Sequence, residues 1–228
     1  MTDFAAWLPF GAALLAFLAS HAIPARPAVR QRLTATLGLK LYLALYCVLS
    51  LFLLGWLIHT AGTAPFVELW PFAEWQRHVP ALLVPIGFAL GVAGLFTANP
   101  LSLSASRRRF DPTHPGVLAI SRHPVLLGFA LWAGAHLVPN GDLAHVILFG
   151  TFLALALGGM WVMDRRARRR LGETQWASLS QRYRWLGWPG RSRWIDRRLM
   201  ALAAGGILLA GFAARFHESF AGVPAFPS

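Results

Sequence analysis

The sequence predicts an all-α, polytopic transmembrane bundle of about six spans. Three observations carry this: apolar residues make up 56% of the 228-residue chain, charged residues only 13%, and the arginines cluster between apolar runs of bilayer-crossing length. A mean hydropathy of +0.51 exceeds what a surface dressed in roughly a quarter charged residues allows. The charge of +12 would suit a nucleic-acid binder only if the basic residues lined one water-soluble face. They alternate with apolar runs instead, so no nucleic acid is expected. The single cysteine, Cys47, excludes an internal disulfide and any site built on several cysteines.

A transmembrane helix needs about 20 mostly apolar residues. Five runs meet that without trouble: residues 4–23, 41–60, 79–98, 143–163 and 199–214. A sixth, 124–138, is shorter and runs into Pro139-Asn140-Gly141-Asp142, a turn sequence that joins it to the next span as a hairpin. The first run has Asp3 and no basic residue ahead of it, so it reads as a permanent helix rather than a signal peptide. No repeat or low-complexity linker divides residues 1–228, which read as one integral membrane domain.

The loops give the orientation. Arg26, Arg30, Arg32 and Lys40 fill the first, Arg107, Arg108, Arg109 and Arg122 the third, and eleven arginines follow Asp164 up to Arg198. Odd loops therefore face the cytoplasm of a bacterial inner membrane and both termini the periplasm, with about +15 inside and −3 outside. Within residues 164–198, Trp176, Leu179, Tyr183 and Leu186 recur near helical spacing, and Trp185, Trp188 and Trp194 accompany them. This predicts an amphipathic segment at the cytoplasmic headgroups, its arginines facing anionic lipid. Gly87, Gly91 and Gly94 on the third span and Gly128 and Gly134 on the fourth predict close helix approach.

Ionisable groups inside a bilayer are costly and tend to mark cofactors or pathways. Of eight histidines, His59, His78, His114, His145 and His217 fall at helix ends or in loops, where they cost little. His21, His123 and His136 remain as candidates. Neutral imidazole is a good ligand for iron, zinc or copper and a standard one for haem. Carboxylates for a di-iron or hydrolytic site are absent from every span. With 1.5 Å of rise per residue, His136 stands about 20 Å from His123 along its helix, so His21 matches His123 better in depth.

Residues 20–27 (Ser-His-Ala-Ile-Pro-Ala-Arg-Pro), 121–128 (Ser-Arg-His-Pro-Val-Leu-Leu-Gly), 132–137 (Trp-Ala-Gly-Ala-His-Leu), 140–142 (Asn-Gly-Asp) and Asp164-Arg165-Arg166 together resemble the NnrU family. The resemblance runs from about residue 4 to about residue 190. It implies a bacterial integral membrane protein associated with nitrite and nitric oxide reduction in denitrification, with the reductase system as a partner. The same motifs are similar to the plant 15-cis-zeta-carotene isomerase, which holds b-type haem between two histidines. That likeness implies His21 and His136 as iron ligands and a haem-dependent, isomerase-like activity or a sensor. A further likeness, to isoprenylcysteine and phospholipid methyltransferases, rests on Arg122-His123-Pro124, Leu171-Gly172-Glu173 and Trp176. It implies S-adenosylmethionine at Arg122 and His123, yet Asp164 and arginines stand where those enzymes carry paired glutamates. The remaining alternative is a non-catalytic partner that assembles or regulates denitrification reductases through its arginine-rich segment.

Overall fold

In the computed structural model, residues 4–24, 26–187, 195–222 and 225 are described. Trp188 and Trp194, counted above with the amphipathic segment, lie outside them. The chain is an all-α polytopic membrane bundle. Helices α1 (Leu8–Ala22), α2 (Pro27–Thr63), α3 (His78–Phe96), α4 (Pro124–Leu137), α5 (Leu143–Leu171), α6 (Glu173–Arg182), α7 (Arg197–Arg215) and α8 (His217–Ala221) follow in order. Single 3-10 turns lead into α1 and α3. Five of these helices, with their leading turns, are long and apolar enough to cross a membrane; α4 is a shorter apolar helix.

Two differences from the sequence reading have local causes. The basic first loop is mostly helical, because Arg30, Arg32 and Lys40 sit on the front of α2, which bends away from helical geometry at Gly38 (φ 74°, ψ 155°). Only glycine takes that conformation without steric cost, so the glycine sets the corner between basic and apolar stretches. Helix α5 likewise runs two turns beyond its apolar part, carrying Asp164 to Arg170 on an unbroken hydrogen-bond ladder with the arginines exposed.

The chain forms two compact units. The first comprises residues 1–71 and 141–148. In it α1 packs on α2, and the turn before α5 is pinned by Leu69 N–H to Gly141 O (2.7 Å) and Leu143 N–H to Val67 O (2.9 Å). Tight packing there leaves no room for a side chain at residue 141: a Cβ would meet Trp70 O at 2.1 Å.

The second unit, residues 72–140 and 149–228, is organised around α3, against which α4 and α7 pack. A Cβ on Gly128 would meet Gly87 O at 2.3 Å, so backbone touches backbone where α3 and α4 cross. Such contact replaces the hydrophobic driving force that is missing between helices in lipid. Leu90, Ala93, Leu101, Val117, Leu118, Ala167, Tyr183 and Leu199 form the core near the ends of α3 and α5. The stripe predicted at Trp176, Leu179 and Tyr183 exists, and it faces this core; Leu186, its last member, is 71% exposed.

Candidate functional site

The polar residues singled out by the sequence fall at three places among the described residues, one in the first unit and two in the second. At the end of the second unit where α3 and α5 finish, α4 begins with His123 as its N-cap residue and Pro124 in the first turn, where a missing N–H costs nothing. The ring is fully buried, and Asp164 on α5 and Arg122 are each only 12% exposed. Arg122 donates from Nε to Asp164 Oδ1 (2.9 Å) and from Nη2 to Oδ2 (2.5 Å), a bidentate pair. Trp185 Nε1 also donates to Oδ2 (2.7 Å), and His123 Nε2 lies 3.0 Å from Oδ1. Asp164 therefore accepts four hydrogen bonds, as many as an ionised carboxylate holds.

Those bonds fix the imidazole. A carboxylate only accepts, so His123 Nε2 carries the proton; in the neutral ring Nδ1 then accepts from Ser102 Oγ, 2.9 Å away. Burial pushes the His123 imidazole below its ordinary pKa, and the Arg122 charge adds to this against the opposing pull of Asp164. The ring stays neutral at pH 7, and the cluster is neutral as a whole.

Around it the backbone is stitched. Ser121 Oγ donates to Trp185 O (2.5 Å), Arg122 N–H to Arg184 O (2.9 Å) and Gly187 N–H to Ile120 O (2.8 Å). Arg122 Nη1 reaches Ser180 O (3.3 Å) and Tyr183 O (3.1 Å), while Asn99 Nδ2 donates to Arg122 O (2.9 Å). Other arginines do similar work, Arg182 to Pro112 O (2.9 Å), Arg198 to Phe96 O (2.6 Å) and Arg170 to Pro100 O. Every lone pair of Asp164 and both nitrogens of His123 are thus engaged within the cluster. It is a clasp that joins the α3–α4 connection, α5 and residues 180–187.

The other end of α4 is different. His136 Nδ1 lies 2.8 Å from Trp132 O, one turn back, and a carbonyl only accepts, so Nδ1 carries the proton and Nε2 keeps its lone pair. Its ring packs on Trp132 (centres 5.0 Å apart), Phe149 (5.1 Å) and His217 (6.2 Å), with Phe129 and Phe152 behind Trp132. Asn140 Nδ2 caps the helix by donating to His136 O (2.7 Å).

His21, in the first unit, repeats that bond pattern. Its Nδ1 lies 2.8 Å from Phe17 O, one turn back, and 3.2 Å from Ser20 Oγ; the ring packs on Phe17 (4.2 Å) and approaches Tyr46 (6.1 Å). A proton held at Nδ1 by a carbonyl is the tautomer that presents Nε2 to a metal. Either histidine could hold a metal or haem iron through Nε2. Among the described residues, no three His, Cys, Asp or Glu side chains gather as an ion site.

The four residues that the sequence singles out therefore fall into different settings: Arg122 and His123 inside the clasp, His136 in an aromatic pocket, His21 at the end of α1. Ser102 and Asn99 escape sequence reading because they are ordinary loop residues, and Trp185 reads only as an aromatic of the amphipathic segment. Asp164 carried a usable signal, as the sole acidic residue between Leu143 and Gly172, at the edge of an apolar run.

No curated protein and no solved structure matches the chain, so the likenesses to the carotene isomerase and to methyltransferases rest on motifs alone. A family model does match, that of the NnrU protein, over residues 9–225. That match spans nearly all of both units, and the chain belongs to the NnrU family.

Proposed function

We propose that this protein is a haem b-binding member of the NnrU family in the bacterial inner membrane, serving nitrite or nitric oxide metabolism. The observation that carries the reading is the tautomer shared by His21 and His136, each tied at Nδ1 to the carbonyl one turn back. Intramembrane histidines held this way turn Nε2 toward a ligand. His136 is the better supported of the two, since Trp132 and Phe149 flank its ring and would shield an apolar cofactor from water. Bound haem would supply one-electron chemistry and affinity for nitric oxide. The chain's own part is to hold an apolar pocket and orient the imidazoles.

The clasp supports the same reading indirectly. By tying α4 to α3 and α5 it fixes the helix on which His136 rides, and its arginines mark the cytoplasmic side by the positive-inside rule. The full chain, expressed with ample haem and purified in detergent, is expected to show a Soret band that sharpens with dithionite. His136→Ala is expected to abolish it. A colourless wild-type protein overturns the proposal.

A further inference from the structure

Helix α2 is longer than a membrane span needs. Its 37 residues would extend about 55 Å at 1.5 Å per residue, against roughly 30 Å of hydrocarbon. The part after Gly38, residues 39–63, reaches about 37 Å and crosses by itself. Residues 27–37, about 16 Å of helix, are left over in front of it. They join the span through Gly38, whose backbone is not helical, so they do not have to follow its axis.

This front piece has one apolar edge. Val29, Leu33 and Leu37 recur at i, i+4 and i+8 and form a stripe. At about 100° per residue, Arg30 and Arg32 flank the stripe on either side, while Gln31 and Ala35 fall opposite it. Leu37 is 36% exposed, Val29 and Leu33 are half-buried, and Arg26, Arg30, Arg32 and Lys40 are all exposed. The hydroxyls of Thr34 and Thr36 donate back to Arg30 O (2.9 Å) and Arg32 O (3.0 Å), which spends their protons inside the helix.

Charge names the occupant. No Asp or Glu lies in residues 4–67, and none of the four basic residues forms an ion pair among the described residues. Arg26 caps α2 and Arg30 closes its first turn, where the helix dipole favours an anion and the chain supplies none. An apolar stripe with arginines on its edges, next to a membrane span, fits the headgroup layer of anionic phospholipid: the guanidinium groups reach phosphates while the stripe enters the acyl boundary. Helix α6 offers no such face. It turns Trp176 and Leu179 to the protein core and leaves Thr174, Gln175, Ser178 and Gln181 outward, none of them charged. We propose that residues 27–37 are a docking helix for anionic phospholipid, lying in the headgroup layer at that end of the span. The proposal is independent of haem.

The test uses the full chain with its single cysteine removed (Cys47→Ser) and a spin label introduced in turn through Gln31→Cys, Leu33→Cys, Ala35→Cys and Leu37→Cys. Accessibility to oxygen, which concentrates in lipid, and to a nickel chelate, which stays in water, is measured in nanodiscs of phosphatidylglycerol mixed with phosphatidylcholine and in nanodiscs of phosphatidylcholine alone. In the anionic discs the oxygen-to-nickel ratio is expected to be at least about threefold higher at positions 33 and 37 than at 31 and 35. That contrast is expected to fall at least about twofold in phosphatidylcholine alone, and likewise in anionic discs when Arg30→Gln and Arg32→Gln are combined. Equal ratios at all four positions in anionic discs mean that the helix stands in water, and overturn the proposal. Labels at 33 and 37 screened from both reagents mean that a second copy or another protein covers the stripe, and overturn it too. A contrast indifferent to lipid charge and to the two arginines overturns anionic lipid as the occupant.

Discussion

The two ends of helix α4 both carry a histidine that an apolar bundle should avoid, and they accommodate it in opposite ways. At the start of the helix every donor and acceptor is matched: Asp164 accepts four bonds, His123 uses both nitrogens, and Arg122 fans out to a carboxylate and two carbonyls. At its finish His136 is matched on one nitrogen and otherwise surrounded by rings. A saturated polar cluster stabilises and resists exchange; a half-matched imidazole in an apolar pocket retains chemistry. The difference separates a histidine tied at both nitrogens to side chains from one tied at a single nitrogen to a backbone carbonyl, although both sit on one short helix.

The sharpest way to break this comparison is to unbalance the clasp. Asp164→Ala leaves a nearly buried guanidinium without its counter-charge, and losing one partner of such a pair costs about 3–5 kcal/mol. Thermal unfolding in detergent is expected to show a large drop or no folded protein at all; a melting curve like that of the wild type would mean the clasp is ornamental. Next in size is the α3–α4 crossing. Gly128→Ala forces a methyl group to 2.3 Å from Gly87 O, an overpacking cost of about 1–3 kcal/mol. The control, Gly134→Ala, meets nothing within 4 Å and is expected to melt with the wild type. A smaller loss, about 0.5–1.5 kcal/mol, is expected for Trp185→Phe, which keeps the ring but removes one donor from an acceptor that retains three others. Equal melting temperatures for Trp185→Phe and wild type would show that this fourth bond adds nothing.

The smallest effect is a dependence on pH. Because burial lowers the His123 pKa, the folded state binds fewer protons there than the unfolded chain, whose histidine titrates near 6.5. The clasp's contribution is therefore complete above that pH and declines as the pH falls below it toward the folded value. Melting temperatures taken from pH 7 to pH 5 are expected to fall more steeply for the wild type than for His123→Gln. Parallel slopes would remove His123 from the acid response.

Much of the scaffold was legible because lipid leaves few options. A run such as 79–98 must be helical to satisfy its backbone, and the glycines at 87 and 128 announced the close crossing that the structure contains. The clasp was not legible. Arg122 reads as one more topological charge and Asp164 as one more residue in a basic tail, since 42 positions separate them and pairing depends on how α5 lies against the start of α4. Ser102 carried no periodic or compositional signal, and Trp185 read only as one more aromatic of the amphipathic segment; both are chosen by the shape of the gap around His123. For the same reason the stripe at Trp176 and Tyr183 could be recognised as amphipathic, while the surface it covers could not.

The sequence by itself determined that this chain crosses a membrane several times, which stretches do so, and that it belongs with NnrU proteins, because hydropathy, span length and ordered motifs are local properties written along the chain. Only the tertiary structure decided which histidine is spent on the fold and which keeps a lone pair. A hydrogen bond is set by a few tenths of an ångström and by direction, and both depend on helices brought together from distant parts of the chain.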